Sequence, residues 1–284
     1  MNTALKRTLL STLVVPFALG AASASAVMVN TWDYTVDSKF ENATFTNKGN
    51  TNPGTQDTSN ENVISWGGTT AASRSSVSIT DVDSTTDGTL PKLVTNGVSV
   101  DAGVFTHDNN TINSSFDTLL TFDLTSTLTL NPLTPMGVGS TEVLPSITFN
   151  SRFTETPNNP GSGSCADGLA QPCGDIFTLT DIDGLGPYTG GALPPQQFTM
   201  EGYVYSVFLE LAGLMTLPDT ACAAAGAANG CLGLLTPEGG PNTFETSFRI
   251  EATPVSVPEP GTLALLGLGL AGLGLSRRKK AAKA

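Results

Sequence analysis

The sequence is poor in histidine and in charged side chains. A single histidine among 284 residues excludes a histidine-rich zinc site and leaves one candidate for a histidine general base. Charged residues make up 13 % of the chain and hydrophobic residues 39 %, which is not the composition of a disordered polymer. With 13 basic and 25 acidic side chains, the formal charge of −12 argues against nucleic acid as a partner.

The N-terminus has the three parts of a secretory signal peptide. Lys6 and Arg7 precede an apolar stretch, residues 9–20, and small residues follow up to Ala26. The pattern predicts a signal helix that signal peptidase cleaves between Ala26 and Val27. Export then places the rest of the chain in an oxidising compartment.

The C-terminus joins a short motif, Val257, Pro258, Glu259 and Pro260, to an apolar segment at residues 262–275 and a basic tail. As a helix the apolar segment spans about 21 Å. This is shorter than the roughly 30 Å of a bilayer core. Snorkelling of the flanking basic side chains and local thinning make up the deficit. The basic tail predicts a cytoplasmic end, so both termini place the domain outside the inner membrane.

This order of parts resembles the PEP-CTERM sorting signal of Gram-negative bacteria that make exopolysaccharide. The resemblance implies recognition by an exosortase, a membrane transpeptidase-like protease, and cleavage near residues 258–260. It further implies release of the domain to the cell surface or extracellular matrix, with the nucleophile supplied by the exosortase. The same tail is also called the ice-binding protein C-terminal domain, which names a sorting segment and not an activity.

We therefore divide the chain into a signal peptide at residues 1–26, a surface domain at 27–254 and a sorting segment at 255–284. Residues 27–257 contain 6 basic and 24 acidic side chains, which gives a formal charge of −18. Such a surface favours solubility and divalent cations over nucleic acid and anionic membranes.

The cysteines form two local pairs, and four cysteines allow three connectivities. The spacing favours Cys165–Cys173 and Cys222–Cys231, each closing a loop rich in small and turn-forming residues. Metal ligation is the alternative, but no C-x-x-C spacing occurs and an exported protein is not expected to keep free thiols.

Hydrophobic residues recur with a period of two, which predicts strands with one buried face. The pattern occupies residues 76–80, 121–130, 146–153, 198–211 and 243–251. No amphipathic helical stripe accompanies it, and residues 221–230 predict a loop or one short helix. We expect an all-β fold, a single β-sandwich or jelly-roll-like domain between the signal helix and the short transmembrane helix.

The histidine occurs in Thr106, His107, Asp108 and Asn109, after a strand-like segment at residues 98–105. We expect His107 at a strand end or turn, where its imidazole fixes the loop by hydrogen bonds to the backbone. The alternative is a metal ligand or a base.

That tetrapeptide matches the signature of the THxN family of PEP-CTERM proteins. Other stretches are similar to that family and to the related choice-of-anchor K domain, namely residues 64–67 with 74–76, residues 153–158 and residues 173–177. The resemblance implies a β-rich surface domain and no defined activity.

Two oxygen-rich turns are candidate calcium ligands, the only cofactor that the sequence suggests. They contain Asp81, Asp83 and Asp87 in one stretch and Asp181 and Asp183 in another. Neither has the spacing of an EF-hand, and Asx turns explain both without a metal.

Three functions remain for the domain. The first is a structural or interaction component associated with exopolysaccharide or biofilm. The second is a glycan- or calcium-binding module, for which Trp32, Tyr34, Trp66 and Tyr188 are the candidate aromatic platforms. The third is a secreted hydrolase, but there is no G-x-S-x-G motif and nothing places a serine beside His107, so we expect no enzyme.

Overall fold

The computed structural model describes residues 26–158, 164–168, 171–183 and 193–255, together with Gly269. Most of these residues are in β-strands. The strands are β1 (Thr31–Phe45), β2 (Asp57–Asn60), β3 (Val63–Gly67), β4 (Arg74–Ile79), β5 (Val82–Asp83), β6 (Leu93–Val94), β7 (Val100–Asn109), β8 (Leu119–Thr134), β9 (Glu142–Val143), β10 (Ile147–Thr154), β11 (Asp175–Asp183), β12 (Gln196–Met200), β13 (Tyr203–Leu211), β14 (Met215–Thr216), β15 (Leu232–Thr236) and β16 (Gly240–Pro254). The short helix α1 (Asp219–Ala224) lies where the sequence allowed one.

The strands form two antiparallel sheets, and the chain passes between them several times. The first sheet has the order β14-β15-β11-β10-β8-β1-β5, with β6 also on β1 and β9 also on β8. The second has the order β12-β13-β16-β7-β4-β3-β2. The predicted all-β sandwich is confirmed.

Strand β10 shows why these residues form strands with one buried face. Ile147, Phe149 and Phe153 are buried, and Arg152 between them is exposed. Alternation of this kind directs every second side chain toward the opposite sheet. The period-two interpretation is therefore correct for this strand, as it is for β4, in which Val77 and Ile79 are buried.

The core contains two clusters rich in aromatic side chains. In one, Trp32 meets Tyr205 edge to face with ring centroids 5.3 Å apart. In the other, Phe153 and Phe177 pack at 4.8 Å beneath Trp66. Such pairs contribute about 0.5–1.5 kcal/mol beyond the area they bury.

The predicted long run at residues 198–211 is two strands and not one. Its second half begins after a turn at Glu201 and Gly202, which have φ of 50° and 82°. Two consecutive positive φ values form the tight hairpin that joins β12 to β13. The strand-like composition on both sides concealed this turn, because glutamate is not a usual turn residue at positive φ.

Both disulfides join the local pairs that the spacing favoured. Cys165 is bonded to Cys173 in the connection between β10 and β11. Cys222 is bonded to Cys231 and ties α1 to the start of β15. No cysteine is free.

Several sequence predictions concern residues outside the described ranges. They are the signal helix at residues 1–25, the motif at 257–260, Tyr188 and, apart from Gly269, the apolar segment at 262–275. Within the part of the chain that the structure describes, no helix has the length and hydrophobicity to cross a membrane.

Candidate functional site

The predicted calcium turn after β5 is held by hydroxyl groups. Asp83 accepts hydrogen bonds from the backbone and hydroxyl of Thr85 and from the hydroxyl of Thr86. Asp87 is bound in the same way by Thr89. These hydrogen bonds lower the pKa of both aspartates. The turn is thus complete without a metal, as an Asx turn is.

Two other acidic candidates are engaged separately. Asp81 accepts a hydrogen bond of 2.8 Å from the backbone nitrogen of Ser38. Asp181 accepts one from the backbone nitrogen of Ile182, and the backbone of Asp183 ends β11 opposite Thr148. Among the side chains that the structure describes, Asp81, Asp83, Asp87 and Asp181 are not gathered around a common point.

The prediction for His107 requires correction. The residue lies within β7 and is fully buried, stacked on Trp66 at 5.7 Å and edge-on to Phe177 at 5.0 Å. Neither ring nitrogen has a hydrogen-bond partner. Desolvation lowers the pKa of His107 to about 3, so the ring is neutral and acts as a core aromatic side chain and not as a loop fastener.

A different set of carboxylates comes together at one end of the sandwich. Glu155 follows β10, Asp175 begins β11, and Glu238 lies in the turn between β15 and β16. One carboxylate oxygen from each lies within 4.8 Å of the others. We call Glu155, Asp175 and Glu238 the acidic cluster. Their positions follow from strand pairing, because β11 lies between β10 and β15 in the first sheet.

The backbone donates a hydrogen bond to only one of the described carboxylates of the acidic cluster, that of Asp175. The backbone nitrogen of Thr156 donates to Oδ1 of Asp175 at 2.8 Å. Oδ2 of Asp175, Oε2 of Glu155 and both carboxylate oxygens of Glu238 are buried and have no partner at hydrogen-bonding distance and angle. Three side chains nevertheless approach Glu238 closely enough to lower its pKa, namely Asn158, Asn109 and Thr111. Buried polar atoms are normally satisfied, so several unpartnered oxygens in one place need an explanation.

The electrostatics of the cluster oppose ionisation. Burial, and next the charge of Glu238, raise the pKa of Glu155 to about 8. Burial, and next the charge of Glu155, raise the pKa of Asp175 well above its ordinary value. Burial also raises the pKa of Glu238. Without a compensating charge, the protein therefore favours protons on these groups.

Side chains of the second sheet also face the acidic cluster. Asn109, the last residue of β7, is fully buried and donates through Nδ2 to the carbonyl oxygen of Thr236 at 2.9 Å, while its Oδ1 has no partner. Its amide is close enough to lower the pKa of Asp175 and Glu238. The indole of Trp66 lowers the pKa of Glu155 in the same way. Both sheets thus contribute to this site.

A cleft of about 300 Å³ opens beside the cluster. Glu155 lines it together with Lys48, Ile112 and Asn158. Lys48 acts on Glu155 through its charge and lowers the pKa of that carboxyl. The cleft gives solvent and small ions a route to Glu155, whereas Asp175 behind it is fully buried.

The acidic cluster is not among the sites that the sequence predicts. Trp66, Asn109, Glu155 and Asp175 lie in stretches that are distant along the chain, and Glu238 lies in a further turn. Only the folded chain brings them to the same end of the sandwich.

The PEP-CTERM protein-sorting motif matches residues 256–279. A search of curated proteins found no match to the chain. The motif implies an exported protein that exosortase processes, with a membrane-anchored precursor and then a surface location.

Proposed function

We propose that this protein is a non-enzymatic component of the exopolysaccharide or biofilm matrix of a Gram-negative bacterium, delivered to the surface by signal peptidase and exosortase. The observation that carries the proposal is the position of the sorting motif. The match begins at residue 256, and the last strand of the sandwich ends at Pro254. Cleavage near residues 258–260 therefore separates the tail from a domain whose strands all remain intact.

The first residue after the predicted signal cleavage supports the same processing scheme. The backbone nitrogen of Val27 donates to the carbonyl oxygen of Glu201 at 3.2 Å. At the other end, the backbone nitrogen of Val255 donates to the carbonyl oxygen of Gly202 at 2.8 Å. The sandwich thus holds residues up to both proposed cleavage sites.

The buried aromatic side chains favour a structural or interaction role over a glycan-binding platform. Trp32, Tyr34 and Trp66 are each 0 % exposed, so none of the three offers a ring face to a sugar. A stacking platform needs an accessible ring, and these rings instead pack in the core.

The site geometry also supports a role without catalysis. His107 is enclosed by aromatic rings and has no route to a substrate. A carboxylate pair for general acid and base catalysis must reach the substrate with both members. Glu155 reaches the cleft, but Asp175 is fully buried.

The experiment is intact mass spectrometry of the protein from secreted and membrane fractions of its native host, with and without reductant. We expect a secreted species that begins at Val27 and ends near Pro258. We also expect it to be lighter before reduction by the hydrogens of four thiols. Matrix extraction should recover this species together with exopolysaccharide. A membrane species that keeps residues 277–284, with none secreted, would contradict the proposal.

A variant of the sorting motif provides the control. Replacing Glu259 by Gln changes the proposed exosortase motif and should leave uncleaved precursor in the membrane. Glu251→Gln changes an exposed glutamate of β16 and should be released as the wild type is. Equal release of both variants would show that the motif does not direct processing.

A further inference from the structure

We propose that the acidic cluster is a binding site for a divalent cation of the calcium class. The inference goes beyond the proposed function and holds whether or not the protein is part of a matrix. It rests on the side chains of Glu155, Asp175 and Glu238, all in the described part of the chain.

The donor atoms are the first reason. Oδ2 of Asp175, Oε2 of Glu155 and both oxygens of Glu238 are buried without a hydrogen-bond partner. Asp175 is fully buried, so these oxygens are not merely a surface concentration of acids. The amide of Asn109 borders the carboxylates through its N–H group, since it lowers the pKa of Asp175 and Glu238. Carboxylate oxygens gathered in this way are the ligands that a hard cation takes.

Charge balance is the second reason. Three carboxylates meet at the acidic cluster, and Asp175 is fully buried. Buried charges are normally paired or bound to metals, because removing them from water is costly. Lys48 lies at the cleft and opposes part of this charge on Glu155. A divalent cation would offset most of the remainder and use the unpartnered oxygens as ligands.

The chemistry of the donors selects the class of cation. The atoms that face one another here are carboxylate oxygens, which calcium and magnesium prefer over the nitrogen and sulphur ligands of zinc. Calcium accepts six to eight oxygens in irregular geometry, whereas magnesium requires a near-ideal octahedron. Carboxylate oxygens drawn from two strand ends and a turn, with water from the adjoining cleft, fit calcium better.

The position of the ligands predicts what the ion does. Glu238 lies in the turn that leads from β15 of the first sheet into β16 of the second, whereas Glu155 and Asp175 flank the connection between β10 and β11 of the first. A bound ion therefore ties this turn between the sheets to the first sheet at this end of the sandwich. Because it binds the folded state and not the separated ligands of the unfolded chain, it raises the unfolding temperature.

The first test uses the full chain, purified in mild detergent and treated with a chelator. Calcium chloride, magnesium chloride and zinc chloride are then added separately while thermal unfolding is followed. We expect calcium at a hundredfold excess over its Kd to raise Tm by about 5–10 °C. No shift with calcium, or a larger shift with magnesium or zinc, would overturn the assignment.

Variants localise the effect. Glu155→Gln and Asp175→Asn keep the side-chain shape and remove a charge, so both should fold in chelator and lose the calcium shift. Glu155 lies at the cleft, so its variant remains informative if Asp175→Asn fails to fold. The matched control is Asp83→Asn in the exposed turn after β5, which should keep the full shift. An undiminished shift in Glu155→Gln would overturn the proposal.

A spectroscopic test reports the location directly. Terbium chloride replaces calcium in oxygen sites, and an adjacent indole sensitises its luminescence. Trp66 lies beside Glu155, whereas Trp32 belongs to the other aromatic cluster of the core. We expect excitation of tryptophan to produce terbium emission that Trp66→Phe reduces severalfold and Trp32→Phe leaves nearly unchanged. Calcium should displace the signal. Equal emission from both variants would contradict the assigned place.

Discussion

The turn after β5 and the acidic cluster both gather carboxylates, but in opposite surroundings. In the turn, Asp87 is exposed and Asp83 half-buried, and each accepts hydrogen bonds from hydroxyl and backbone N–H donors, so their pKa values fall. In the cluster, Asp175 is fully buried and Glu155 half-buried, and burial together with a neighbouring carboxylate raises the pKa of both. The acidic residues that are close together in the sequence therefore lie in a solvated turn. Those that folding brings together form the buried site with raised pKa values.

The difference also separates two uses of negative charge. A carboxylate that folds back on its own turn stabilises local backbone and needs no further ligand. A carboxylate opposed by burial and by a second carboxylate gains most when a cation arrives.

The largest effect concerns pH in the presence of a chelator. The folded pKa of Glu155, about 8, exceeds its ordinary value of 4.5. The folded state therefore holds a proton that the unfolded chain has lost, and the free energy of unfolding falls as pH rises between these values. The slope is up to about 1.4 kcal/mol per pH unit for one group. Glu155→Gln should reduce this slope, which urea unfolding at pH 5, 6.5 and 8 measures.

The control for this prediction is Glu245→Gln, which changes an exposed glutamate of β16. It should retain the pH dependence of the wild type. If the free energy of unfolding depends on pH in the same way in the wild type and in Glu155→Gln, then Glu155 does not cause the pH dependence.

We expect the two disulfides to contribute similarly to stability but to differ in their effect on calcium binding at the acidic cluster. Replacing Cys165 and Cys173 by alanine, or Cys222 and Cys231 by alanine, opens loops of sequence separation 8 and 9. Each change should lower the free energy of unfolding by about 2–3 kcal/mol. Only the first should also weaken the calcium shift, because that loop leads directly into Asp175.

Thermal unfolding of both double variants, with and without calcium, measures the two effects separately. An equal loss of the calcium shift in both would indicate that general destabilisation, and not the position of the loop, is responsible.

The stability of His107→Leu relative to the wild type should increase as the pH falls. The folded pKa of His107, about 3, lies below its ordinary 6.5, so the unfolded chain takes up a proton that the folded state refuses. Below pH 6.5 the wild type loses stability for this reason, by up to about 1.4 kcal/mol per pH unit. Leucine does not titrate, so the free energy of unfolding of the variant should rise relative to that of the wild type as the pH falls from 6.5 to 4.5. A constant difference across that interval would show that His107 is not held neutral.

The smallest effect is expected in the exposed turn. Asp83→Asn removes a carboxylate whose pKa is lowered by Thr85, so its contribution is present above the unfolded pKa near 3.8 and is lost as pH falls further. We expect a slightly lower Tm at neutral pH that converges with the wild type in acid. A Tm loss as large as that of either disulfide variant would contradict the comparison.

Much of the fold could be predicted from the sequence, but the site could not. Period-two patterns around Phe149 and Val77 depend on local spacing alone, and the strands lie there. The turn at Glu201 was missed because only the backbone conformation reveals it. The position of His107 was predicted wrongly because the polar residues 106–109 suggested a loop, whereas strand β7 continues to Asn109.

The acidic cluster depends on strand order, which no local pattern encodes. Glu155 and Asp175 are brought together by the pairing of β10 with β11, and Glu238 arrives through the turn after β15. Among many acidic residues, nothing in the sequence separates these three from the exposed ones. Only their burial beside one another does so, and this is a property of the folded chain.

The shared anchoring of both chain ends at the β12–β13 turn has an orientational consequence. Val27 and Val255 bind neighbouring carbonyl groups there, while Gly240, at the other end of β16, pairs with Asn109 beside the acidic cluster. At about 3.3 Å per residue, β16 separates these two ends by roughly 45 Å. The acidic cluster therefore lies at the end of the sandwich opposite the one from which the proposed sorting segment continues.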